Sequence, residues 1–220
     1  MVNLIPYRIG DLWGFSDRQK NILIDCIYEW CWPFENGRAR VMIKDAYGEN
    51  RYGFINESGK ITVPFVFDEV SDFVKGIARV KVNWYYLIKD KEIGHRFPIG
   101  TSKAQFHDRW KWGFINSIGN ELVPCVYNSV EEYSEGLSSV RYYGKCGYIN
   151  RYGDEIIPYQ FSEAMKFSEG LAAIKQKIPD MYGYIDQTGA QVISSRFNYA
   201  NPFNEGLACV RINGRYGFIN

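Results

Sequence analysis

In 220 residues, 26 basic side chains stand against 25 acidic ones, a formal charge of +1 that lacks the basic footprint of a nucleic-acid binder. No apolar run approaches the roughly 20 residues that span a bilayer, and the first ten residues lack the basic and apolar regions of a secretory signal. Five cysteines (Cys26, Cys31, Cys125, Cys146 and Cys209), odd in number and without CxxC spacing, argue against a disulfide framework and for a reducing compartment, so the expected location is cytoplasmic with no membrane partner.

Taken in chain order, one motif returns from end to end. It opens at Trp13-Gly14-Phe15 and recurs at Tyr52-Gly53-Phe54-Ile55-Asn56, Trp112-Gly113-Phe114-Ile115-Asn116, Cys146-Gly147-Tyr148-Ile149-Asn150, Tyr182-Gly183-Tyr184-Ile185-Asp186 and Tyr216-Gly217-Phe218-Ile219-Asn220. Tyr85-Tyr86-Leu87-Ile88-Lys89 is a decayed copy, and with it the spacings are 39, 33, 27, 34, 36 and 34 residues. A period near 34 is the mark of a repeat architecture.

Each motif is followed by a turn of the Asn-x-x-Gly kind, as at Asn56-Glu57-Ser58-Gly59 and Asp186-Gln187-Thr188-Gly189. Asn and Asp bond their own backbone two residues on, and Gly accepts positive φ, so a hairpin is expected. A short apolar strand then ends in Pro at Pro64, Pro124 and Pro158. A connector carries a first aromatic anchor (Tyr28, Phe67, Tyr127, Phe161, Phe197) and a second six residues later (Phe34, Phe73, Tyr133, Phe167, Phe203). Gly and a Gly-Leu-Ala type strand close the unit.

The predicted fold is therefore all-β: a tandem repeat of short antiparallel three-strand meanders, as an open superhelix or a partly closed ring. Residues 1–220 form a single array, with units near 13–51, 52–84, an irregular 85–111, then 112–145, 146–181 and 182–215, and a terminal strand at 216–220. A three-strand meander cannot bury its apolar face alone, so neighbouring units must stack. Leu4-Ile5-Pro6-Tyr7 looks like the Pro-bearing strand that the last motif lacks, which favours closure; a plain N-terminal cap is the alternative.

In combination the aromatic-Gly-aromatic-Ile-Asn motif, the Asn-x-x-Gly turn, the Ile/Val-Pro and the Glu-Gly-Leu at Glu135, Glu169 and Glu205 resemble the WG-repeat family across about residues 12–220. The resemblance implies a bacterial β-rich repeat scaffold, with some members acting as binding modules, and makes an immunity partner of a secreted toxin a candidate role. It supplies no catalytic residues. The first unit departs from the pattern, with Asp25 for Pro and Ser16-Asp17 for Ile-Asn.

Chemistry is sparse. No Walker loop, GxSxG or HExxH motif occurs, so no enzyme activity and no cofactor or metal are expected. His95 and His107 lie in the irregular unit with Arg96 and Arg109, as a solvated loop or a partner contact; a catalytic or metal role would need them to converge with carboxylates. Lys81, Arg141, Lys175 and Arg211 form a basic ladder, either a stripe for an acidic partner or strand ends paired with nearby Glu. The cysteines sit in packing columns as buried, inert thiols.

Sister units provide an internal control, because a column shows what the scaffold requires. Trp13 and Trp112 occupy the motif column and need only a core role. Trp30, Trp32, Trp84 and Trp110 stand instead where other units carry mainly Glu, Ser, Asn, Lys or Arg, and are expected to be more exposed. Such an apolar surface marks an interaction site; filling of the irregular unit is the other reading. The expected partner-binding set is thus Trp30, Trp32, Trp84, Trp110, His95, Arg96, His107 and Arg109. The function expected is a protein-binding scaffold that occludes its partner, with a carbohydrate- or cell-wall-binding module, or an enzyme centred on His95 or His107, as alternatives. Nothing in the sequence sets the oligomeric state.

Overall fold

The computed structural model describes residues 4–83 and 110–220. These residues form two compact units: 4–83 with Phe114–Glu121, and 110–113 with Leu122–Asn220. The described chain is all β, in small antiparallel sheets none of which closes into a barrel. The predicted irregular unit 85–111, with Trp84, His95, Arg96, His107 and Arg109, lies outside the described residues except for Trp110 and Lys111.

The first unit opens with a three-stranded sheet, β1 (Ile5–Ile9), β2 (Leu12–Ser16) and β3 (Ile22–Tyr28). A four-stranded sheet follows: β4 (Trp30–Cys31), β5 (Arg38–Lys44), β6 (Asn50–Asn56) and β7 (Ile61–Phe67). Next, β8 (Glu69–Val70) pairs with β9 (Ile77–Asn83). The turn at 116–120 joins β10 (Trp110–Asn116) to β11 (Glu121–Tyr127), two strands through which the division between the units passes.

The second unit repeats the four-stranded pattern twice. Its first such sheet is β12 (Ser129–Val130), β13 (Leu137–Tyr142), β14 (Lys145–Asn150) and β15 (Glu155–Phe161). The next is β16 (Glu163–Ala164), β17 (Leu171–Lys175), β18 (Tyr182–Asp186) and β19 (Gln191–Phe197). A three-stranded sheet of β20 (Tyr199–Ala200), β21 (Ala208–Ile212) and β22 (Arg215–Ile219) completes it.

Two details correct the reading from sequence. The connector contains a strand of its own, two residues long, that pairs with the Gly-Leu strand, as in Val130↔Val140 and Ala164↔Ile174. And the Pro-bearing strand does not end at Pro: β7 runs on to Phe67 and β15 to Phe161. Pro sits instead in a bulge. Tyr148 pairs with Ile157 and Cys146 with Phe161, so Gly147 alone stands opposite Pro158, Tyr159 and Gln160. A bulge leaves backbone groups out of the ladder and so tolerates Pro.

The bulge explains the motif glycine. It carries β15 across the face of β14, and a Cβ on Gly147 would lie 2.6 Å from the carbonyl oxygen of Ile157. The same contact would be 2.4 Å at Gly14 and Gly113, 2.6 Å at Gly53 and 2.5 Å at Gly183. Only a residue without a side chain allows that approach.

Packing follows the columns. The motif's third residue meets the second aromatic anchor, edge or tilted, in four places: Phe15–Phe34, Phe54–Phe73, Tyr148–Phe167 and Tyr184–Phe203, with ring centroids 4.7–5.0 Å apart. Where the column holds Tyr, its buried hydroxyl donates to a connector carbonyl: Tyr148 to Met165 at 2.7 Å and Tyr184 to Asn201 at 2.8 Å. Burial pushes the Tyr184 hydroxyl up to about 12, and that of Tyr148 further.

The Asn-x-x-Gly turn forms as expected. Asn56 Oδ1 accepts from the backbone N–H of Ser58 and Lys60, and Gly59 N–H donates to Asn56 O. Within each unit the turn glycines rest on a β-branched residue of the preceding Pro-bearing strand, Gly153 on Val123 and Gly189 on Ile157. The connector closes on a two-residue turn with positive φ at both positions, such as Glu169 (56°) and Gly170 (80°), the geometry of a type I′ hairpin. In the second unit these Glu side chains bridge repeats: Glu135 Oε2 accepts from Gly170 N–H at 3.0 Å and Glu169 Oε2 from Gly206 N–H at 2.9 Å.

Leu4-Ile5-Pro6-Tyr7 fits the N-terminal-cap alternative, as an edge strand of the first sheet. β1 lies on the far side of the motif strand, with Tyr7 opposite Gly14 as Val41 is opposite Gly53. It does the work of a Gly-Leu strand, because β3 already occupies the Pro-strand side of β2.

Candidate functional site

β4 explains the tryptophans of the first unit. Its Cys31 faces the core, opposite Val41, and is almost fully buried. Alternation then turns Trp30 and Trp32 outward, onto the face that carries Glu69 and Ser71 one repeat later. Trp30 is 44% exposed and Trp32 half-buried. The two rings meet edge to face with centroids 6.4 Å apart.

The stack extends at both ends. Trp30 packs on Trp13 at 4.8 Å, and Trp32 on Tyr52 at 6.0 Å. Two guanidinium groups flank it. Arg40 lies 4.1 Å above the Trp32 ring, fixed by a bond to Val70 O at 2.8 Å and by Asp72 at 3.6 Å. Arg8 stands 5.9 Å from the Trp13 ring and pairs with Asp11. The result is a ladder of four aromatic rings with one cation on the Trp13 end and another over the third ring, Trp32, contacts favoured by the ring quadrupole. Beneath it, burial pushes the Cys31 thiol up to about 12, which keeps it protonated and inert.

Of the predicted contact residues, the structure joins Trp30 with Trp32. Trp110, at the start of β10, is also 44% exposed. Trp32, like Trp13 and Trp112, is half-buried. Trp13 packs against the core cluster of Phe15, Tyr28 and Cys31, as its column suggested, and its half-buried ring also meets Trp30. Sequence reasoning missed Tyr52, Arg8 and Arg40 as members of the ladder. Their alternation along β1, β5 and β6 carried a signal for the face, but not for which rings meet across strands.

Three of the four residues of the basic ladder are paired locally. Lys81 meets Glu69 at 3.1 Å. Arg141 donates to the carbonyls of Gly144 and Ser162. The hydrogen bond to Asp180 raises Lys175, which also faces Glu163. Cys31, Cys125 and Cys146 are buried, whereas Cys26 and Cys209 are only partly so.

A cleft beside Trp32, lined also by Arg38, Arg40, Asp72 and Phe73, holds about 60 Å³, and one in the second unit beside Arg141 and Glu163 about 160 Å³. Both fall below the roughly 300–1,000 Å³ of small-molecule sites. Among the described residues no cluster of three or more His, Cys, Asp or Glu has the arrangement to hold a metal ion.

Small antiparallel sheets built on one recurring motif define an all-β tandem-repeat protein. The chain belongs to the WG containing repeat family, which it matches at residues 13–47, 52–86, 112–146, 147–177 and 182–216. No curated protein sequence is similar enough to count as a match.

Proposed function

We propose that this chain is a protein-binding scaffold that acts by covering a partner's surface, with no chemistry of its own. The observation that carries the reading is the ladder Trp13–Trp30–Trp32–Tyr52, with Arg8 on Trp13 and Arg40 on Trp32. Trp, Tyr and Arg are the residues that dominate interface hot spots, and the shallow relief beside them suits a macromolecular surface better than an enclosed ligand. The partner proposed is a protein, with a toxin domain neutralised by occlusion as the specific form.

The test is paired affinity capture from the host with the parent chain and with Trp30→Ala. A protein held by the parent and weakened roughly 30-fold by the substitution, about 2 kcal/mol, supports the reading. If that protein is toxic when expressed alone and harmless when co-expressed with the parent chain, the immunity role follows. Equal capture by parent and variant refutes the ladder as the contact surface.

A further inference from the structure

The face that carries the tryptophan ladder in the first unit carries a cleft in the second. Strand register makes the two comparable. Ser129 pairs with Arg141 as Trp30 pairs with Met42, and Cys146 pairs with Arg141 as Tyr52 does with Met42. The Glu131 amide donates to Ser139 O as the Trp32 amide does to Arg40 O. Ser129, Glu131, Cys146 and Ser139 therefore stand where Trp30, Trp32, Tyr52 and Arg40 stand, each with a smaller side chain. These four line the cleft of about 160 Å³. A cavity of roughly 150 Å³ admits one benzene ring, so there is room for a single planar group.

The first unit shows which group fits. Arg40 reaches across to the next sheet, where its guanidinium donates to Val70 O at 2.8 Å and faces Asp72 at 3.6 Å. Ala164 holds the place of Val70, pairing with Ile174 as Val70 does with Val80, and it also lines the cleft. Ser139 is too short to span to it as Arg40 spans to Val70. Charge favours a cationic guest. Among the charged side chains of the lining, Arg141 already donates to two carbonyls, and Glu163 accepts from the Tyr182 hydroxyl and faces Lys175. That leaves the exposed Glu131 carboxylate for a guest. Lys166, in the column of Asp72, is exposed and lies outside the lining.

We propose that this cleft binds an arginine side chain presented by a partner polypeptide, its guanidinium donating to Ala164 O and to the Glu131 carboxylate, in the place that Arg40 fills in the first unit. The planar fork of a guanidinium serves a carbonyl and a carboxylate at once, which the point charge of a lysine does not reproduce. The site lies in the second unit and is separate from the tryptophan ladder.

The test titrates the isotope-labelled 220-residue chain with N-acetyl-arginine amide and follows backbone amide shifts by NMR. Expected is saturable binding, with the largest shifts among residues 129–131, 139–141 and 163–165. N-acetyl-citrulline amide, of the same shape without the charge, and N-acetyl-lysine amide are each expected to bind about tenfold more weakly or worse. Glu131→Gln, at an exposed side chain, is expected to weaken the arginine probe roughly tenfold. Ser139→Arg rebuilds the arrangement of the first unit and is expected to abolish binding without lowering the melting temperature. Absence of saturable binding, equal binding of the citrulline or lysine probe, or binding indifferent to Glu131→Gln would overturn the proposal. So would a Ser139→Arg variant that still binds or that melts well below the parent. Tighter binding of free L-arginine than of the blocked probe would make the guest a free amino acid and overturn the polypeptide source.

Discussion

Gly147→Ala tests the explanation of the repeat motif directly. The added Cβ would lie 2.6 Å from Ile157 O, 2.7 Å from Tyr159 Cδ1 and 2.9 Å from the carbonyl carbon of Pro158. Two of these neighbours are backbone, so relief requires β15 to move away from β14. Ile157, Tyr148 and Phe161, all buried in one cluster, would loosen with it. Overpacking of this kind costs about 1–3 kcal/mol, and we take the upper end because backbone must move; the smaller unfolded-state entropy of Ala returns about 0.4–1 kcal/mol. The net expectation is a loss of about 2 kcal/mol, or roughly 4–8 °C in melting temperature for a chain of this size. Far-UV circular dichroism melts of the parent, Gly147→Ala and Gly217→Ala suffice. Gly217→Ala meets no neighbour and is expected to melt with the parent. A Gly147→Ala variant as stable as the parent, or a Gly217→Ala variant equally damaged, would refute the reading that strand approach selects the glycine.

Phe167→Ala removes a fully buried ring that packs on Tyr148 and is expected to cost about 3–5 kcal/mol, far more than Trp30→Ala; urea melts of the two compare them. Iodoacetamide at pH 8 is expected to label Cys26 and Cys209 before Cys31 and Cys146, by peptide mass spectrometry, since burial both hides the last two thiols and raises them. Alkali should unfold the protein. Tyr184 is raised to about 12 in the fold from an unfolded value of 10.0, so its contribution is complete below pH 10 and is lost as pH rises from there to about 12; a flat pH–stability profile across that window would contradict it. Glu135→Ala is expected to speed hydrogen exchange at the Gly170 amide, which its carboxylate caps from the neighbouring repeat.

Sequence columns made the strand order of one repeat legible, because each element carries a marker residue: the motif glycine, the turn Asn, the Pro, the anchors and the Glu-Gly-Leu. The two-residue strands β4, β8, β12, β16 and β20 were not legible, being too short for any period. Nor was the reason for the motif glycine, which depends on a bulge in a strand ten residues away. Glu135 and Glu169 showed in the sequence only as members of the Glu-Gly-Leu column; they are exposed, but they also hold the next repeat through a backbone amide that no column marks. At the candidate site, column mismatch pointed to Trp30 and Trp110 as exposed, because alternation assigns a face. It could not show that Trp13 and Tyr52 would join Trp30 and Trp32, because ring contact depends on cross-strand geometry.

The two turns on either side of the motif strand differ in what they touch. On the Asn-x-x-Gly side the glycine rests on a neighbouring strand, as Gly153 does on Val123 and Gly189 on Ile157. The link that leads into the motif strand varies: residues 10–11 between β1 and β2, 45–49 between β5 and β6, 143–144 between β13 and β14, 176–181 between β17 and β18. Residues 84–109 stand at the same position in chain order, between β9 and β10. Length is therefore constrained at one corner of the repeat and free at the other, and that freedom makes the second corner the place where this scaffold can acquire new sequence. A foreign loop grafted between Tyr143 and Gly144 should leave the repeat's packing intact, whereas the same graft between Asn150 and Asp154 would lift Gly153 off its neighbour.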